Sequence, residues 1–339
     1  MAGGQERVLR RRIRSIQATK KITRSFELIA ASQIARAQGR IAGSRPYVKA
    51  ISDILAETAR ESGSATRLLG VPESPQNVMV LVIVADRGLA GAYNSSVLRA
   101  AERLIRSGSE RSEHYRVIAV GKKAQAYFRF RHQPVERQFV GMSDRPSFED
   151  ARRLAASIVP PFLDGAVDLV QVVSTRVRSA SSQVVETRQL LPVLPSEGPV
   201  LRPSSELHHD QQPGSKPASA EPEPLDLDAS SRQFGFFEFE PDVEHLLAVL
   251  IPKYCEASIY AALLEASASE HAARQRAMSA ATENAEELLK TLRRVMNRAR
   301  QDTITTEIME IVGGSEALRS SGGATHDLTY PQATEEQTV

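Results

Sequence analysis

A chain of 339 residues with 41% hydrophobic and 25% charged side chains has the balance of an ordinary soluble protein. Its net charge of +2 hides a strong internal asymmetry, and its single cysteine, Cys255, excludes an internal disulfide and fits a reducing compartment. No run of about 18 consecutive apolar residues marks a membrane span, and Met1 to Glu6 lacks the apolar segment of a secretory signal.

Gln5 to Gln38 contains neither Gly nor Pro and predicts a helix about 50 Å long. Leu9, Ile13 and Ile16 step 4-3, and Ile22, Phe26 and Ile29 repeat that step in a shifted phase. Residues 1–45 carry eleven Lys and Arg against Glu6 and Glu27, a local net charge of +9. Such a helix suits nucleic acid, a membrane surface, an acidic protein or plain solvent. It lacks the interleaved aromatics that stack on single-stranded bases. Gly43, Ser44 and Pro46 mark an interruption, after which a helical pattern resumes to Glu61.

The middle of the chain alternates strand and helix. Apolar runs at 78–85 and 167–174, with 116–120 and a weaker 135–140, predict strands, separated by helical patterns at 95–106, 122–131 and 148–162. That alternation implies a parallel, Rossmann-like sheet. The loop from Asp86 to Asn94 stands where a phosphate loop belongs, yet matches neither G-x-G-x-x-G nor G-x-x-x-x-G-K-[ST]. Asp86 and Arg87 suit either a catalytic pair or, as the favoured role, a paired loop anchor. No catalytic motif, cofactor fingerprint or metal-ligand spacing is present, so no catalytic residue, cofactor or metal is expected.

Residues 196–240 hold six prolines and nine acidic side chains against three basic ones, the composition of a disordered acidic insertion. Lys253 to Val312 then runs sixty residues without Gly or Pro, about 90 Å as one helix. Leu288, Leu292, Val295 and Ala299 step 4-3-4, and Ile304, Ile308 and Ile311 continue after a polar break at Gln301 to Thr303. Such a helix is too long for one compact domain and needs another helix or protein as partner. The tail after Arg319 is rich in Ser, Gly and Thr. The domains expected are therefore a coiled-coil helix at 1–61, an α/β domain at 77–195, and the insertion at 196–236. A second coiled-coil segment at 237–318 and a mobile tail at 319–339 complete them.

Both ends carry a resemblance. RRRIRSIQATKKITRSFELIAASQIARAQ (10–38) and SEHAARQRAMSAATENAEELLKTLRRVMNRARQDTITTEIMEIVGG (269–314) resemble the termini of gamma subunits of F-type ATP synthases. DRGLAGAYN, GKKAQAYF and QLLPVLP match the middle of that family in the same order. Phe26 departs from its usual Met, and Ala90-Gly-Ala from its common Cys-Gly-Gly. The resemblance implies a fold of a long antiparallel coiled coil on a Rossmann-like α/β domain, and a rotor that catalyses nothing itself. It implies as partners three alpha and three beta subunits, epsilon and the c ring, at the cytoplasmic face of a bacterial plasma membrane, with no nucleic acid. Association with the membrane is indirect, through the c ring, and the coupling is to protons. Contacts to acidic beta-subunit loops fall on Arg10, Arg11, Arg12, Lys20, Lys21, Phe26, Arg300 and Gln301. Contacts to the c ring fall on Phe237, Phe239 and Glu240. The coiled-coil seam falls on Ile13, Ile16, Ile22, Ile29, Leu288, Leu292, Val295, Ile304 and Ile308. The family's chloroplast members carry a cysteine-pair switch at the place of the insertion; residues 196–240 contain no cysteine.

Overall fold

The computed structural model describes residues 2–61, 69, 74–178, 182–193 and 243–321. Two long helices, α1 (Ala2–Glu61) and α5 (Val243–Ser321), precede and follow a five-stranded sheet in the chain. The chain divides into two compact units, one of residues 1–23 with 280–339, the other of residues 24–279.

In the larger unit, β1 (Asn77–Ile83), β2 (His114–Val120), β3 (Val135–Phe139), β4 (Leu169–Val177) and β5 (Gln183–Leu191) form a sheet of order β3-β2-β1-β4-β5. The first four strands are parallel, and β5 pairs antiparallel with β4. The sheet is thus mixed rather than wholly parallel, because the half-buried, partly charged run Gln183–Leu191 folds back as a hairpin strand. Helices α2 (Tyr93–Glu110), α3 (Lys122–Phe130) and α4 (Phe148–Leu163) make the crossovers. β1 is buried on both faces, as its continuous apolar run requires. Val78, Val80 and Val82 pack with α2 and α3, while Met79, Leu81 and Ile83 face α1, α4 and α5. Ser147 and Asp150 form a reciprocal capping box at the start of α4, satisfying two otherwise orphaned donors.

α1 runs without a break through Gly43 and Pro46, where the sequence marks an interruption. Proline in a helix costs about 3 kcal/mol; burial of Ile41, Val48, Ile51 and Leu55 on both sides of it offsets that. α5 likewise passes through Pro252, begins ten residues before Lys253 and continues past Gly313-Gly314. One stretch of α5 is long and apolar enough to cross a membrane by composition, but more than half of it is buried within the protein. It is the core helix of the larger unit.

The buried positions of α1 keep one phase throughout. Ile13, Thr23, Ala30, Ala37, Ile41, Val48, Ile51, Leu55 and Thr58 are buried, and Leu9, Ile16, Lys20, Glu27, Ile34 and Ser44 between them are half-buried. Together they step 4-3 without a stutter, a strict 3.5-residue repeat. Ile22 and Ile29 lie off this stripe and are 55% exposed each. On α5, Thr282, Ala285 and Leu289 are buried, and Leu292, Met296, Ala299 and Thr303 half-buried, in the same 3-4 rhythm. Leu288, Val295, Ile304 and Ile308 are exposed. Of the sequence-expected seam, Ile13, Ile16 and Leu292 lie on the buried stripe and the other six do not. The phase shifts read from the sequence arise because the true stripe passes through small and polar residues, which hydrophobicity alone skips.

Candidate functional site

In the smaller unit the first turns of α1 pair antiparallel with α5. Thr23 Oγ1 and Thr282 Oγ1 share a hydrogen bond of 2.7 Å, and Lys20 Nζ lies 3.1 Å from Glu286 Oε2. Both threonines are buried on the seam, and Thr23 Oγ1 also donates to the Lys20 carbonyl at 3.1 Å; a buried hydroxyl left unpaired costs about 1–3 kcal/mol. Outside the seam Arg7, Arg10, Arg11 and Arg14 line one groove, with Glu6 bonded to Arg10 at 2.5 Å. These arginines recur at helical spacing and form a positive stripe. Arg12 and Lys21 are exposed beside the stripe. Arg300 and Gln301 are exposed on α5, beyond the half-buried Ala299.

In the larger unit, three loops converge on α5 at the carboxyl ends of the strands. Asp86 is their anchor: its carboxylate accepts from the amides of Lys122 at 3.0 Å and Gly141 at 2.9 Å, and from Ser143 Oγ at 3.2 Å. Gly121 holds φ +95, and a Cβ there would stand 2.3 Å from the Val84 carbonyl oxygen, so only glycine lets these loops close. Ser267 donates to the Asp144 carbonyl at 3.0 Å, and Arg274 to that of Gly88 at 3.4 Å. Arg274 also bonds Glu270, which is almost fully buried. Burial pushes the Glu270 carboxyl up against the pull of Arg274, and burial holds His271 below its usual range.

Phe26, 39% exposed, lies in this unit on the wall of a cavity of about 640 Å³. Ile29, Leu89, Arg87, Arg145 and Arg274 share that wall. Phe26 is therefore grouped with three arginines that its sequence neighbours do not announce. Arg87 and Arg145 arrive from different loops, and only the sheet brings them together. Phe237, Phe239 and Glu240, and the whole insertion, lie outside the described residues. Among the described residues no group of three His, Cys, Asp or Glu side chains is arranged to hold a metal. Cys255 is buried, and burial raises its thiol far above the reactive range.

A family profile described as "ATP synthase" matches residues 5–318. The ATP synthase gamma chain of Parafrankia sp. is 43% identical over 321 residues, covering 94% of this chain and 99% of its own. The chain belongs to the ATP synthase gamma-chain family. The gamma chain of Kineococcus radiotolerans is also 43% identical, over 323 residues, with 94% and 98% covered. Among solved structures, a chain of the Euglena gracilis mitochondrial ATP synthase matches with a TM-score of 0.59 at 18% identity, covering 97% of this chain and all of that one. A chain of the Tetrahymena thermophila mitochondrial central stalk and c ring matches with a TM-score of 0.54 at 21% identity, covering 77% and 99%. At these identities the likeness is one of fold. As a gamma chain, this protein is the central-stalk rotor subunit of an F-type ATP synthase, and so a subunit of an enzyme complex.

Proposed function

We propose that this gamma chain is a non-catalytic shaft that couples proton-driven rotation of a c ring to conformational change at three beta-subunit sites. The observation that carries this reading is the surface left outside the coiled-coil seam. Leu288, Val295, Ile304 and Ile308 stand 45–54% exposed on a helix whose seam is already filled. Exposed apolar rows beside a positive stripe suit an enclosing, acidic-lined sleeve. The sleeve we infer is the alternating ring of three alpha and three beta subunits. Torque in this view is a differential contact energy: each rotor angle favours one of three beta conformations.

Arg300 and Gln301 are the residues we assign to a beta-subunit loop, with Arg10, Arg11, Arg12, Lys20, Lys21 and Phe26 facing acidic beta loops. Arg offers a planar fork for carboxylate and Gln adds directional donors. Phe237, Phe239 and Glu240 are assigned to the c ring, with epsilon on the α/β domain. The complex then sits at the cytoplasmic face of a bacterial plasma membrane, held there through the c ring. No cofactor or nucleic acid enters this reading. The test is co-purification of the chain with alpha, beta, epsilon and c subunits from native membranes, together with Arg300→Ala/Gln301→Ala in the assembled complex. A several-fold loss of ATP synthesis with normal assembly is expected. Wild-type synthesis in the assembled double variant overturns the Arg300–Gln301 assignment.

A further inference from the structure

The sheet of the larger unit reverses its winding between β1 and β4. From β1 the chain crosses through α2 to β2 and through α3 to β3; it then returns over the opposite face through α4 to β4. Open α/β sheets bind ligands at such a reversal, outside the carboxyl ends of the strands. A cavity of about 470 Å³ occupies that place here, bounded by the loop after β1, the first turn of α2, the end of β4 and α5. None of the residues assigned above to beta-subunit or c-ring contacts lines it.

Three features of the wall share one chemistry. The first is the start of α2, where Ala92, Tyr93 and Ser96 line the cavity. No side chain caps this helix, and of its first amides those of Tyr93 and Ser96 bond the carbonyls of Ala90 and Ala92. Helix starts carry partial positive charge and spare N–H donors. The second is Arg276 of α5, whose guanidinium is braced by Gln183 at the cavity edge. The third is Thr175 of β4, 4% exposed, whose buried hydroxyl has no hydrogen-bond partner among the described residues. Strand alternation puts Thr175 on the same face as Leu169 and Val173, the face that α2 covers. Its hydroxyl is therefore directed to the side where α2 begins. The Glu270 carboxylate, whose charge acts on Tyr93, is already bonded to Arg274.

We propose that this cavity binds one phosphate-sized oxyanion, held by the first turn of α2, the Arg276 guanidinium and the Thr175 hydroxyl. The loop Leu89–Ala92 lacks the three-glycine spacing that brings backbone against a pyrophosphate, so the site takes a single phosphate group. That group is supplied either by inorganic phosphate or by the terminal phosphate of a nucleotide.

The experiment is calorimetric titration of the full-length chain with inorganic phosphate at constant ionic strength, balanced with chloride. Saturable binding with Kd on the order of 1 mM is expected. Arg276→Gln weakens it about tenfold, the worth of a charge-assisted hydrogen bond. Thr175→Val, isosteric and without a hydroxyl, weakens it several-fold, and Thr175→Ser restores it. A parallel titration with ADP separates the sources: tighter binding than phosphate assigns a nucleotide phosphate, equal or weaker binding assigns free phosphate. Absence of saturation at about twenty times that Kd overturns the proposal. So does phosphate binding that neither Arg276→Gln nor Thr175→Val weakens. Should Arg276→Gln fail to fold, Thr175→Val against Thr175→Ser decides.

Discussion

Glu265 is a carboxylate that the fold places at a disadvantage. It sits 8% exposed on α5, and burial pushes its carboxyl up to about 7 against the pull of Arg188, Arg176 and Arg45. Glu186, which bridges Arg188 at 3.2 Å and Arg176 at 3.6 Å, adds to the rise. The sign follows from linkage. The folded state keeps this proton to a higher pH than the unfolded chain does, so stability falls as pH rises from about 4.3 toward 7 and stays lower above. Between about pH 5.5 and 8 the wild type is expected to lose on the order of 2 kcal/mol more than Glu265→Gln. Urea titrations of both proteins at the two pH values check this; parallel losses refute it. A second residue-scale prediction falls on Gly121. Gly121→Ala meets both a left-handed φ and the Val84 carbonyl, and is expected to destabilise by more than about 2 kcal/mol in thermal melts.

At the scale of the element, the phase of the seam can be tested with adjacent leucines. Leu289 is 6% exposed and Leu288 47%. Leu289→Ala is expected to cost about 2–4 kcal/mol and Leu288→Ala less than about 1 kcal/mol. The reverse order in melting of the full chain would restore the phase read from hydrophobicity. The threonine pair offers a cycle on the same element. Thr23→Val alone leaves the Thr282 hydroxyl buried with its seam partner removed and is expected to cost about 1–2 kcal/mol. Thr23→Val with Thr282→Val replaces both partners by apolar groups of the same shape, so most of that loss is recovered. A double variant as unstable as the sum of the singles would show that the hydrogen bond is not what this seam position contributes.

At the scale of the whole molecule, charge distribution carries the consequence. The +9 of residues 1–45 and the acidic excess of residues 196–240 lie on one chain of net charge +2. Deleting Pro199 to Asp228 from the assembled complex is expected to raise ATP hydrolysis more than it alters synthesis. The effect is largest at low salt, where exposed charges are least screened. Dithiothreitol changes neither form, because Cys255 has no second cysteine to pair with. Hydrolysis unchanged by the deletion at every ionic strength assigns the segment to a spacer.

Much of this protein is determined by its sequence alone. The absence of Gly and Pro from long stretches dictates two helices, because local propensity sums along the chain. The short apolar runs dictate strands, since β1 must be buried on both faces. The order of the end motifs dictates the family. What the sequence left ambiguous was every choice settled between distant residues. Hydrophobicity chose Ile22, Ile29 and Leu288 for the seam. Packing chose Thr23, Ala30 and Leu289, because close helix contact favours small side chains and tolerates a hydroxyl that meets a partner. Pro46 and Pro252 stay within helices because burial around them exceeds the cost of a lost hydrogen bond. The antiparallel turn of β5 and the meeting of Phe26 with Arg87, Arg145 and Arg274 have no local signal at all. Nor has the cavity where Thr175 and Arg276 approach α2. Such sites form only when a sheet reverses its winding and brings loops a hundred residues apart to one edge, and that is a property of topology rather than of any segment.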